Sequence, residues 1–123
     1  MKTIQTDKAP AAIGPYSQAM VSGGFVFTSG QIPIDPYTGA VVDGNVTVQT
    51  EQVMLNLGAV LAAAGSGFDK VVKATCFLAS MDDFADFNAV YAKYMTNKPA
   101  RSCVAVRCLP KNVLCEVEAI AEV

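Results

Sequence analysis

The apolar residues between Thr47 and Ala64 constrain the fold of this chain more than any other feature. They recur at three- and four-residue spacing, which places them on one face of an α-helix. Gly65-Ser66-Gly67 follows as a C-terminal stop, and Asn45 or Thr47 is a suitable N-cap. The residues on this face are Val53, Leu57, Val60, Leu61 and Ala64. The pattern predicts one long helix packed against the rest of the domain.

A second helix is predicted from aromatic residues at spacings of three, four and three: Phe84, Phe87, Tyr91 and Tyr94. Ser80 and Asp83 resemble a capping box, and the segment from Asn97 to Pro99 ends the helix. Aromatic stripes of this kind usually pack in a core, so we favour a core role over a ligand cage.

Strand-like runs surround both helices. Asp35 to Gly39 is predicted as a turn, with Val41-Val42 as a short return strand, and Leu109 to Val113 as a hairpin connection. The four longer runs are Phe25 to Ser29, Val71 to Ala79, Ser102 to Leu109 and Leu114 to Val123. The order is then β-β-α-β-α-β-β, which indicates an α+β domain with two helices on one face of a mixed sheet. No repeat or linker interrupts the chain, so residues 1–123 form one domain.

The 123 residues include no histidine, which limits the chemistry available to this chain. Ser-His-Asp triads, Cys-His dyads and histidine-ligated metals are excluded. The net charge is −2 and the lysines are scattered, so a nucleic-acid-binding face is not expected. The hydrophobic fraction of 52% is slightly high for a small monomer and favours an oligomer.

The four cysteines, Cys76, Cys103, Cys108 and Cys115, lack the C-x-x-C spacing of zinc or thioredoxin-type sites. The first eight residues lack the apolar stretch of a signal peptide, and no run of apolar residues is long enough to span a membrane. We therefore expect a cytoplasmic protein with free thiols in strands.

Three segments carry more polar and glycine residues than packing requires: Gly14 to Ala19, Thr28 to Pro33, and Pro99 to Val104. Strand alternation places Arg101 and Cys103 on one side of their strand. An arginine in an apolar strand needs an anionic partner. That partner is either a carboxylate of the chain, such as Glu116 or Glu118, or the carboxylate of a small ligand.

These three segments, together with Leu109-Pro110 and Glu116 to Ala121, resemble the Rid/YjgF family. That family includes reactive intermediate deaminases and proteins labelled endoribonuclease L-PSP. The resemblance extends from about Thr6 to Ala121 and points to the RidA subgroup, which keeps the arginine. Two departures flank Glu116: Cys115 replaces a usual aliphatic residue, and Val117 replaces a commoner Ile or Met.

The resemblance implies a chorismate-mutase-like fold, assembled as a homotrimer with active sites between subunits. It also implies a cofactor-independent hydrolase that acts on C–N bonds. Its substrates would be enamines and imines from pyridoxal-phosphate dehydratases, and its products 2-keto acids and ammonia. No metal or organic cofactor is needed.

The resemblance assigns a role to each site residue. Arg101 matches the clamp for the substrate carboxylate, assisted by the Cys103 backbone N–H, and Glu116 matches the carboxylate that activates water. The matching substrate-binding positions are Tyr16, Ser29, Gly30 and Asn88.

The distance between Arg101 and Glu116 also bears on how the two could bind one ligand. On two arms of one hairpin they would lie about 16–17 Å apart, too far to hold one small acid. We therefore expect them to reach the same ligand from different subunits. Two other functions stay open: an endoribonuclease or translation inhibitor, and a non-catalytic trimer that binds small carboxylates.

Overall fold

A computed structural model describes residues 1–123 as one six-stranded sheet with two long helices. The strands are β1 (Lys2–Ile4), β2 (Ala19–Ser22), β3 (Phe25–Thr28), β4 (Val71–Leu78), β5 (Ala100–Ala105) and β6 (Cys115–Glu122). The helices are α1 (Val46–Ala63) and α2 (Phe84–Tyr94), and short 3-10 turns cover Phe68–Lys70, Met81–Asp83 and Pro110–Asn112. The predicted α+β class is confirmed, with both helices on one face of a mixed sheet.

The strand order in the sheet is β1-β2-β3-β6-β4-β5. Every neighbouring pair is antiparallel except β4 and β5, which run parallel. The parallel pair follows from α2, because a helix between two strands returns the chain to the end of the sheet from which it left. The last strand, β6, then inserts between β3 and β4 and becomes central.

Helix α1 confirms the periodic pattern almost residue for residue. The Asn45 side chain accepts a hydrogen bond from the Val48 N–H at 3.1 Å, which satisfies one of the free donors of the first turn. Gly65, at φ +79°, takes the left-handed conformation that ends the helix. Val53, Leu57, Val60 and Leu61 are all fully buried against the sheet.

Helix α2 is shorter than predicted, since it ends at Tyr94 rather than near Asn97. Ser80 does not form a capping box with Asp83. Its hydroxyl instead accepts from the Asp82 N–H and caps the 3-10 turn that precedes the helix. Phe87 and Tyr91 are buried, as predicted for a core stripe.

The predicted element order is wrong at the N-terminus, where the observed order is β-β-β-α-β-α-β-β. The sequence reading missed β1 and β2. Gly23 and Gly24, both at positive φ, form the two-residue turn between β2 and β3, which is a known hairpin signal. Val41 makes only an isolated bridge with Ile34 and no return strand.

The predicted hairpin around Leu109 to Val113 is also wrong. The preceding strand ends at Ala105 rather than Leu109, and β5 and β6 are not neighbours, because β4 lies between them. The connection contains the 3-10 turn Pro110–Asn112, in which Lys111 and Asn112 have positive φ.

The two faces of the sheet differ in what covers them. Alternate residues of β4 and β6, such as Ala74 and Val117, are buried beneath the helices. Their neighbours on the opposite face, including Phe77, Glu116 and Glu118, are only half-buried. Neither helix meets the length and hydropathy needed to cross a bilayer.

Candidate functional site

The seven predicted site residues form two separate groups in the chain. Tyr16, Ser29, Gly30 and Glu116 line one cavity, which we call the Glu116 cleft. Arg101 and Asn88 line another, which we call the Arg101 groove, and Cys103 neighbours Arg101 on β5.

The Glu116 cleft has a volume of about 470 Å³ and lies where β3 separates from β6. Beyond Phe27 the Thr28 hydroxyl, rather than a backbone carbonyl, accepts the Ala119 N–H at 3.0 Å. Backbone pairing resumes between Gln31 and Val117 at 2.8 and 3.1 Å. The extra residue in this bulge exposes Ser29 and Gly30 to the cleft.

Gly30 allows the Glu116 carboxylate to lie directly against the backbone. A Cβ at this position would lie 1.9 Å from Glu116 Oε2 and 2.8 Å from Cδ, much closer than atoms can approach. The sequence suggested a close approach by a ligand or another chain. The structure shows that the chain's own carboxylate makes it.

Glu116 lies in the cleft without a counter-ion. The only ion pair of the chain joins Lys93 of α2 to Glu51 of α1 and does not involve Glu116. Burial raises the pKa of the Glu116 carboxyl above its ordinary value of 4.5, and the like charge of Glu118 raises it further. An unpaired carboxylate with a raised pKa is suited to accept a proton from water.

Tyr16 and Ser29 form the cleft wall around this carboxylate. Tyr16 is 52% exposed, so its phenol is available to a ligand. The Ser29 hydroxyl donates to the Ser17 carbonyl at 2.5 Å, and the Ser29 N–H donates to the Gln18 carbonyl at 2.9 Å. Ser29 thus fixes the loop that carries Tyr16.

The Arg101 groove, of about 300 Å³, lies at the edge strand β5 beside α2. The Arg101 guanidinium donates to Asn88 Oδ1 at 2.7 Å. Its Cζ lies 5.5 Å from the Phe84 ring centroid and 4.8 Å from that of Tyr91, within cation–π range. No carboxylate of the chain pairs with it. The alternative of an Arg–Glu ion pair within the chain is therefore wrong.

Cys103 follows Arg101 on the same face of β5, in register with the buried Cys76. Burial raises the pKa of the Cys103 thiol, so the thiol stays protonated at neutral pH. The Val106 N–H donates to Leu78 on β4 at 2.9 Å. Because strand N–H groups alternate in direction, the Cys103 N–H points to the open edge of the sheet, beside the guanidinium.

Arg101 and Glu116 project from opposite faces of the sheet. Arg101 is in register with the buried Ala74 and contacts α2, whereas Glu116 is in register with Phe77 on the other face. Their backbones are about 10 Å apart along the strands and about 10 Å apart across them. The hairpin premise of the distance argument was wrong, but the two side chains still cannot hold one small ligand within a single chain.

Two features of these sites were not predicted from the sequence. Phe84 and Tyr91 were assigned only to the core, yet they share one helix face with the predicted Asn88 by their spacing of four and three, which could have linked the aromatic stripe to Arg101. Lys111 lines the Glu116 cleft from the 3-10 turn, and no local pattern marked it. Within residues 1–123, no three Asp, Glu, Cys or His side chains lie close enough together to bind a metal ion.

Known proteins resemble the chain over its whole length. The family profile described as endoribonuclease L-PSP matches residues 6–123. A RutC family protein from Synechocystis is 54% identical over 98% of this chain and 95% of its own length. The 2-iminobutanoate/2-iminopropanoate deaminase of Salmonella typhimurium is 50% identical over 98% of this chain and 96% of its own. The crystal structure of E. coli TdcF with bound serine superposes with a TM-score of 0.95 at 42% identity, covering 100% of this chain and 99% of that one.

Proposed function

This chain belongs to the endoribonuclease L-PSP family, and we propose that within it the chain is a 2-iminobutanoate/2-iminopropanoate deaminase. The observation that carries the proposal is a pair of charged groups that have no counter-ion in the chain, the Arg101 guanidinium and the Glu116 carboxylate. Together they match the needs of a small imino acid, which carries one carboxylate and one carbon open to attack by water. The Salmonella deaminase, half identical to this chain, supports the same assignment.

Arg101 binds the substrate carboxylate. A guanidinium grips a carboxylate with two parallel N–H donors, which fixes both position and orientation. The Cys103 N–H at the open edge provides a third donor. Asn88 accepts a hydrogen bond from the guanidinium and so holds one of its N–H groups beside α2. Bidentate binding leaves the imine carbon of the substrate at a defined distance from the arginine.

Glu116 activates the water. The substrate reacts as the protonated imine. As the water oxygen bonds to the imine carbon, Glu116 takes a proton from the water, and the electron pair of the C=N bond moves to the nitrogen, which becomes a neutral amine in a tetrahedral intermediate. The protonated Glu116 then gives this proton to the nitrogen. The C–N bond breaks as the hydroxyl oxygen forms the carbonyl and returns its proton to Glu116, so that ammonia leaves with a 2-keto acid as the other product. An enamine enters the same sequence after protonation of its β-carbon.

The two halves meet between subunits of a homotrimer in this proposal. Its support is that the two side chains lie on opposite faces of one sheet, so that one chain cannot bring both to a three- or four-carbon acid. The Arg101 groove at the sheet edge of one subunit would then close over the Glu116 cleft of the next.

The test is a threonine dehydratase reaction with and without this protein. We expect faster release of 2-oxobutanoate and ammonia with the wild type, and loss of that acceleration in Arg101→Ala. Arg107, the only other arginine, is exposed and provides the matched control Arg107→Ala, which should keep full activity. Unchanged kinetics with the wild-type protein would contradict the proposal.

RNA cleavage is the second candidate, favoured by the description of the family profile. It is tested on the same preparations with single-stranded RNA. Cleavage that survives purification and disappears in Glu116→Gln would support it. The net charge of −2 and the lack of histidine favour the deaminase.

A further inference from the structure

Tyr91 has a buried hydroxyl without a partner. The side chain is 7% exposed, and its oxygen is the only buried side-chain polar atom of residues 1–123 that makes no hydrogen bond. Its ring stacks on Phe87 at 5.7 Å and faces the Arg101 guanidinium at 4.8 Å. A phenylalanine would keep both ring contacts.

The hydroxyl therefore destabilises the ligand-free fold, because a buried polar group without a hydrogen bond has lost its water and gained nothing. Such groups are rare in folded proteins and call for an explanation. The ionisable groups near this phenol are Cys76, Cys103 and Arg101. Of these, only Arg101 has N–H donors to spare.

The guanidinium has five N–H donors, and only one of them is used by a side chain in this structure, toward Asn88. A carboxylate held bidentately would use two more and would rotate the fork toward the ligand. The remaining donors would then face the aromatic floor of the groove, where the Tyr91 oxygen lies.

We propose that Tyr91 is a positioning residue for Arg101: its ring holds the guanidinium in the groove, and its hydroxyl accepts a hydrogen bond from the guanidinium when a carboxylate is bound. The hydroxyl is buried and so acts through Arg101 rather than on the ligand. Burial raises the pKa of Tyr91 to about 12, which keeps it neutral at working pH. This inference rests on the proposed function only in taking Arg101 as the carboxylate-binding group.

The test compares Tyr91→Phe with Tyr94→Phe. The Tyr94 hydroxyl donates to Glu51 at 2.6 Å, and Tyr94 lies outside the groove. For each variant we would measure the Tm, the Kd for 2-oxobutanoate by calorimetry, and KM and kcat for the imine. Tyr91→Phe should have an equal or higher Tm but bind 2-oxobutanoate about ten-fold more weakly, as expected for a lost hydrogen bond to a charged group. KM should rise with the Kd.

Tyr94→Phe should instead have a lower Tm, while its Kd and KM stay unchanged. A third variant, Tyr91→Leu, also removes the ring face and should weaken binding further than Tyr91→Phe. A purely structural role cannot raise stability and lower affinity together. An unchanged Kd in Tyr91→Phe would overturn the inference while wild-type turnover leaves the proposed function standing. A wild type that neither binds 2-oxobutanoate nor accelerates imine hydrolysis would overturn the proposed function itself.

Discussion

The Glu116 cleft and the Arg101 groove are opposites in charge, surroundings and position. In the cleft, an acidic group without a counter-ion lies against a glycine on the helix-free face of the sheet. In the groove, a guanidinium without an anion lies between aromatic rings and an amide on the helix face. Arg101 and Glu116 are opposite in charge, yet the chain makes no ion pair between them.

This difference agrees with the proposal that each region is half of one site. An isolated charge that is partly removed from water is unfavourable, and a fold normally pairs it or exposes it. Here both charges are kept apart by the sheet, because Arg101 and Glu116 are in register with residues of β4 that face opposite ways. In the proposed trimer, a second copy of the chain would supply the half that each region lacks.

The largest expected effect comes from mixing two inactive variants. Arg101→Ala and Glu116→Gln should each lose the acceleration of imine hydrolysis. After the two are unfolded together and refolded as mixed trimers, sites that combine an intact arginine with an intact glutamate should reappear. In an equal mixture that is about one site in four, since a closed ring repeats the same contact at every interface. The dehydratase assay measures the recovered rate.

Each variant unfolded and refolded alone is the control for this mixing experiment. If both side chains acted from one chain, no mixture could contain a complete site. A mixed sample no more active than the two separate samples would then show that the cleft and the groove do not meet between subunits.

A smaller loss is expected when the cleft alone is disturbed by Gly30→Ala. The new Cβ would lie 1.9 Å from Glu116 Oε2, so the carboxylate has to move while the groove stays intact. A displacement of about 1 Å in a reacting group can lower turnover about 10²-fold. We expect kcat to fall by that order, with the Kd for 2-oxobutanoate much less affected.

Gly67→Ala is the matched control, because Gly67 has an extended backbone that alanine can adopt and lies beyond α1, outside both cavities. The clash at Gly30 involves the end of a flexible side chain, so the Tm of Gly30→Ala should stay near that of the control. A wild-type kcat in Gly30→Ala would mean that the position of Glu116 against Gly30 has no part in the reaction.

The helices and the sheet differ in how far the sequence could predict them. The helices follow from local periodicity, so Asn45, Gly65 and the buried face of α1 were all predictable. The partners of β5 and β6 depend on contacts between distant segments. Because β5 and β6 follow each other along the chain, a hairpin between them was expected. Instead, α2 places β5 parallel to β4, and β6 lies between β3 and β4.

The residues of the site were recognisable from their motifs, whereas their grouping was not. Gly30 was identified as a point of close approach, but only the bulge after Thr28 shows that Glu116 is what approaches it. Tyr91 was assigned to the core, and it is buried there. The core position also places it against Arg101, because the helix carrying it packs over the edge strand.

The smallest expected effect is a difference in pH response between the Glu116 cleft and the Arg101 groove. Burial and Glu118 raise the pKa of Glu116 in the folded state, so ionised Glu116 opposes folding at neutral pH. This penalty is absent below the ordinary glutamate pKa and develops as the pH rises through the raised value. Glu116→Gln, which resembles the protonated form, should therefore have a higher Tm than the wild type at pH 7, and the difference should vanish near pH 4.

Catalysis should follow the same titration in the opposite sense, because only ionised Glu116 can accept a proton from water. The wild-type kcat should fall as the pH drops through the raised pKa. Glu118→Gln removes the neighbouring like charge and should move that fall to lower pH. The Kd for 2-oxobutanoate, governed by the groove, should not follow this titration, because no carboxylate of the chain lines the groove. A Kd that titrates together with kcat would mean that the two halves already interact within the protein before substrate binds.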